Sequence, residues 1–136
     1  VLQDAVSVDK YTLLCTEAVV NNNVESFTRN GNLLYREKIK VLTPDIVNHR
    51  GKGGYFFEYT LTDLQELYDV ITEKFQTITY FGVDPAKLRE ELIAAGVRGI
   101  DRIVPVGKAM DIDVVWDGHD LVRELSRIVN VFGKST

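Results

Sequence analysis

Residues 76–107, QTITYFGVDPAKLREELIAAGVRGIDRIVPVG, constrain the fold more than any other stretch. Two short β-branched runs flank a segment of helical periodicity, and each junction carries its own punctuation. Asp84-Pro85 pairs an N-cap acceptor with a proline whose fixed φ suits the first helical turn. Leu88, Leu92 and Ala95 fall on one helical face, and Gly96 supplies the left-handed residue that closes a helix. Strands are therefore expected at 76–82 and 101–106, with a helix between them. Pro105 has no N–H to give a ladder, so the second strand is an edge, is bulged, or ends there.

The same alternation extends upstream. YFFEY (55–59) is aromatic-rich and suits a strand. In TDLQELYDVITEKF, Thr62 with Gln65 reads as a capping box, and Leu64, Leu67, Tyr68, Ile71 and Phe75 form an apolar stripe. Residues 54–106 thus read strand–helix–strand–helix–strand, an α/β unit of layered strands and helices with right-handed crossovers. DIDVVW (111–116) is a further strand candidate. Leu121, Leu125, Ile128 and Phe132 are the expected buried stripe of a last helix.

The first 52 residues are less patterned. Residues 8–29 read as a helix carrying Leu13, Val20, Val24 and Phe27, which the Asn21-Asn22-Asn23 run could break. Asn30-Gly31, Pro44 and the glycines at 51, 53 and 54 mark turns and loops. The expected organisation is a helical lead-in and loop over 1–52 and an α/β segment over 53–136. Val1 opens the chain and Met110 is its one Met. We read it as an excised or processed part of a longer protein.

Composition excludes several classes. The 136 residues are 45% hydrophobic and 26% charged, which fits a globular chain rather than a disordered one. A net charge of −4 without a Lys/Arg run argues against duplex nucleic acid and anionic membranes. Apolar runs are far short of the ~20 residues that span a bilayer. The one Cys excludes an intramolecular disulfide and suits a reducing cytoplasm.

Motifs that could carry chemistry have simpler readings. Cys15 sits in an apolar helical pattern without a cationic neighbour and is expected to be buried and inert. The GKGG at 51–54 leads into a strand, whereas phosphate cradles lead from a strand into a helix. Gly107-Lys108 and Gly133-Lys134-Ser135 lack the glycine five positions earlier that a phosphate loop needs. Asp111, Asp113, Asp117 and Asp120 read as caps and solvated carboxylates rather than metal ligands, with Asp117 or Asp120 capping the last helix. His119 has no partner at catalytic spacing and reads as structural. Trp116-Asp117-Gly118 reads as a turn that tucks in an indole and uses positive φ at Gly118.

Three ordered blocks go further: Gln-Thr-Ile at 76–78, Gly-Ile-Asp-Arg-Ile-Val-Pro-Val-Gly at 99–107 and Trp-Asp-Gly at 116–118. Over roughly residues 53–130 the chain resembles the C-terminal part of the bacterial long-chain acyl-CoA reductases of the luminescence-operon type, within the aldehyde dehydrogenase superfamily. The resemblance implies part of an aldehyde dehydrogenase catalytic domain. Its parent would be a cytoplasmic homo-oligomer that reduces a fatty acyl-CoA or acyl-protein thioester to aldehyde with NADPH, through a Cys thioester. It implies that the nucleophile and most of the cofactor site lie upstream. No catalytic, cofactor or metal residue is then assigned here, and the isolated chain is expected to be inactive. Gln76, Arg102 and Trp116 are the candidates for substrate or subunit contact. The alternative is a non-enzymatic α/β module for small-molecule binding or oligomerisation.

Overall fold

The computed structural model describes residues 4–133; Val1 and the Lys134-Ser135 half of the last glycine motif lie outside them. The chain is mixed α/β, with small sheets and short helices, and divides into two compact units, Val1–Ile71 and Thr72–Thr136. No helix among the described residues is long and apolar enough to cross a membrane.

The first unit begins with α1 (Asp4–Val20), followed by β1 (Val24–Asn30) and β2 (Leu34–Ile39). The asparagine run does end the helix, so Val24 and Phe27 lie on a strand instead. Asn23 also tethers the strand exit: its Nδ2 donates to the Val41 carbonyl at 2.8 Å, and Val41 N–H donates to its Oδ1 at 2.9 Å. β1 and β2 form an antiparallel hairpin that turns at Asn30-Gly31, where Gly31 takes φ +55°. A 3₁₀ turn (Pro44–Asn48) and the glycine loop then bring β3 (Tyr55–Glu58) alongside β2 in parallel, in the order β1-β2-β3. The hairpin was not legible within the expected lead-in.

β3 therefore belongs to the first sheet, and β4 (Gln76–Tyr80) belongs to another. The continuous strand–helix alternation breaks because α2 (Gln65–Tyr68) is only four residues long. Its expected continuation contains the Val70-Ile71-Thr72 run, whose β-branched side chains are poor helix formers. The capping pair is also shifted. Glu66, not Gln65, takes the hydroxyl of Thr62 at 2.5 Å and the N–H groups of Thr62 and Asp63 at 3.1 Å. These bonds, the Thr62 hydroxyl foremost and Tyr59 next, hold the Glu66 carboxyl down to about 2.

In the second unit, β4 and β5 (Ile100–Pro105) pair in parallel across α3 (Pro85–Ala94). Asp84 Oδ1 accepts from Ala86 N–H at 2.9 Å, Pro85 opens the helix, and Gly96 follows its end at φ +68°. Leu88 and Leu92 are the buried positions of α3, whereas Ala95 is exposed. The ladder ends at Pro105 opposite Tyr80. β6 (Val115–Trp116) and β7 (His119–Asp120) form a two-residue hairpin ahead of α4 (Leu121–Leu125). Asp120 caps α4 by accepting from Arg123 N–H at 3.1 Å.

The expected buried stripe of the last helix is not formed. Leu121 is 38% exposed, and Leu125, Ile128 and Phe132 are 85–92% exposed. The Ser126 hydroxyl turns back to the Val122 carbonyl, and Ser126 is itself extended, so the helix stops before the β-branched Ile128, Val129 and Val131.

Candidate functional site

In β2, successive side chains face opposite sides of the sheet, which puts Tyr35, Glu37 and Ile39 together on the buried face. Glu37 is a carboxylate at a position patterned for an apolar residue, and it is fully buried. Its support comes from three other segments. Tyr55 of β3 donates its hydroxyl to Glu37 Oε2 at 2.5 Å. Asn21 Nδ2, just beyond α1, donates to Glu37 Oε1 at 3.4 Å and to Glu17 Oε2 at 2.7 Å. His49, after the 3₁₀ turn, places Nδ1 3.7 Å from Glu17 and Nε2 3.3 Å from Asp45, with its ring edge-on to Phe57.

Burial is the main force on the Glu37 carboxyl and pushes it above the usual carboxylate range. The Tyr55 hydrogen bond opposes that rise, nearby Glu17 adds to it, and His49 counters it. Burial first, and the bond to Glu37 second, push the Tyr55 hydroxyl up in turn. The cluster can hold a proton within a buried polar network. Among the described residues no three His, Cys, Asp or Glu side chains converge as metal ligands.

The sequence candidates lie in the second unit. Arg102 of β5 stacks its guanidinium over the Trp116 ring, 3.9 Å from the centroid. It also donates to the carbonyls of Ala109 at 2.9 Å and Asp111 at 3.0 Å. The chain leaving β5 is thus folded back against that strand. The turn beside Trp116 carries Asp117 at φ +46° and Gly118 at φ +81°. A Cβ at Gly118 would meet the Asp101 carboxylate at 3.0 Å, so glycine serves close approach as well as turn geometry. Gln76 is placed apart from this pair. It opens β4 opposite Ile100, at a register shift, with φ +59° and an exposed side chain.

No family model, curated protein or solved structure matches the chain. The site is therefore argued from its own geometry.

The acidic residues near Trp116 go to separate tasks: Asp111 pairs with Lys108 at 2.9 Å, Asp113 takes Val114 N–H at 2.6 Å, and Asp120 caps α4. His119 Nδ1 lies 2.7 Å from Glu124, and that bond is the main cause of its raised proton affinity. Cys15 is exposed on α1 rather than buried. The apolar pattern that suggested burial belongs to Leu13 and Leu14, which are half-buried, while Cys15 shares an open face with Tyr11, Thr12, Thr16, Val19 and Val20.

Sequence reasoning missed Glu17, Glu37 and Tyr55. One signal was available: in Leu34–Ile39 the acid falls in phase with Tyr35 and Ile39. A charge in phase with a core face is a candidate for a buried, partnered group.

Proposed function

We propose that this chain is the C-terminal scaffold of a cytoplasmic, NADPH-dependent fatty acyl-thioester reductase, assembled as a homo-oligomer, whose nucleophilic Cys lies outside it. The observation that carries the reading is the Arg102 clasp. It joins the Gly99–Gly107 strand run to the Trp116 turn, two of the three blocks on which the resemblance rests. The third block, at 76–78, pairs with the same strand. Exposed apolar residues at 125–132, and outer edges of β4 and β5 that pair with no strand among the described residues, also suit a unit completed by further chain.

Cys15 is unsuited to the nucleophile's role. It lies in the middle of α1, and among the described residues no His, Lys or Arg is one of those that line its open face. The test is NADPH oxidation with a long-chain acyl-CoA, measured for this chain and for the protein read in frame from upstream. The chain alone should be inactive and unaffected by Cys15→Ser, and the longer protein active. A longer protein without an acylated Cys would refute the reading.

One observation favours a second reading, a small-molecule-binding module. A cleft of about 440 Å³ lies between α3 and β5, lined by Leu92, Ile93, Val97, Ile100 and Ile103 with Arg89 among them. That volume is in the range of ligand pockets. A metabolite retained by the isolated chain in native mass spectrometry would favour this module.

A further inference from the structure

We propose that Lys10, Arg50 and Lys52 form a binding site for the phosphoryl group of a phosphate monoester, free or on a lipid headgroup. The site lies in the first unit and is independent of the thioester reading. Val6, Asp9, Lys10 and Leu13 fall at i, i+3, i+4 and i+7 along one face of α1, and Arg50 and Lys52 come from the glycine loop. Together these six residues enclose a concavity of about 120 Å³. That is the liquid volume of several waters at ~30 Å³ each, enough for a phosphoryl group.

One of the lining cations is unusual. Lys10 is 2% exposed, its ammonium donates to the carbonyls of Asn32 and Leu33, and it lies 4.7 Å from the Tyr35 ring centroid. These partners are dipoles and a π face, not a counter-charge. Among the described residues no carboxylate reaches ion-pair distance of Lys10, Arg50 or Lys52. Three cations against the single carboxylate of Asp9 leave a local positive excess, in a chain whose net charge is −4. A buried charge without a counter-charge is costly, and an anion seated over it offsets that cost.

The loop that carries Arg50 and Lys52 is fixed rather than slack. A Cβ at Gly51 would lie 2.1 Å from the Tyr55 carbonyl oxygen, and one at Gly54, at φ +91°, would lie 2.3 Å from that of Leu33. Glycine is required at both positions, so the two side chains leave a backbone pressed onto β3 and the β1–β2 turn. A phosphate monoester carries up to two charges near neutral pH and several acceptor oxygens, which suits convergent Lys and Arg donors. Val6 and Leu13 offer an apolar wall to the carbon side of the ester.

The test uses the full chain with orthophosphate, glycerol 3-phosphate, and phosphatidylcholine vesicles with and without phosphatidic acid, followed by calorimetry and ³¹P NMR. Saturable binding is expected, about tenfold weaker in Arg50→Ala and in Lys52→Ala, each of which loses one charge-assisted contact. Asp9→Asn should bind more tightly. Both alanine variants alter exposed side chains, so their unliganded melting temperatures should match the parent's and confirm folding. Binding of the soluble phosphates assigns a free ligand, and binding confined to phosphatidic acid vesicles assigns a lipid headgroup. No saturable signal from any probe, or binding indifferent to these substitutions, would overturn the proposal.

Discussion

Tyr55→Phe removes one oxygen and leaves the packing of the first sheet intact. The ring stays in place between Tyr35 and Phe57, with centroids 6.0 and 5.3 Å away. What disappears is the 2.5 Å bond to Glu37, a carboxylate fully buried from water. A hydrogen bond to a charged group contributes about 1.5–3 kcal/mol, and a neutral one about 1 kcal/mol. The cost of the substitution therefore depends on whether Glu37 is ionised. Because burial raises the Glu37 carboxyl, its contribution to stability is complete below the unfolded carboxylate value. It is lost as pH rises through the folded value. The Tyr55 bond opposes that rise, so without it the loss on going to neutral pH deepens. Urea unfolding should give a destabilisation of about 2–3 kcal/mol near neutral pH that shrinks to about 1 kcal/mol below the ordinary carboxylate range. Far-UV circular dichroism follows the secondary structure of both units, and Trp116 fluorescence reports separately on the second. Adding Glu37→Gln should remove the pH dependence. A pH-independent destabilisation in Tyr55→Phe, or a pH dependence that survives in the double variant, would refute the account of a buried carboxylate held by Tyr55.

Other consequences are simpler. Arg102→Lys cannot reproduce both carbonyl bonds and the guanidinium's place over the Trp116 ring, and should cost about 1–2 kcal/mol with a change in Trp fluorescence. Gly99→Ala forces a side chain into φ +106° with its Cβ 2.3 Å from the Thr72 carbonyl oxygen; a loss of about 2 kcal/mol or more is expected in thermal unfolding. Gln76→Gly relieves a left-handed non-glycine residue in β4 and should be neutral or stabilising by up to about 1 kcal/mol. In Glu124→Gln, an NMR titration should find the His119 imidazole closer to its ordinary value; the His119 contribution is present below its unfolded value and fades as pH rises through the folded one.

Local chemistry determined the parts of this fold that are short and self-contained. Asp84-Pro85 and Gly96 bracket α3 as their capping preferences require, and Asn30-Gly31 turns the first hairpin. The register of β5 ends at Pro105, with Val106 N–H donating to the Tyr80 carbonyl at 3.0 Å just beyond it, and Gly118 takes positive φ. Each of these depends on a few consecutive residues, so sequence suffices. Burial and strand partnership depend on residues far apart in the chain, and there tertiary structure decided. The stripe at 64–75 is interrupted by β-branched residues after one helical turn, and that at 121–132 finds no surface among the described residues. Cys15 turns outward while Lys10 and Glu17 of the same helix turn inward. Glu37 becomes a buried acid only because β3 returns parallel to β2 and presents Tyr55, eighteen residues on, to its carboxylate. A periodic pattern says which residues share a face; whether that face is covered depends on what the rest of the chain brings to it.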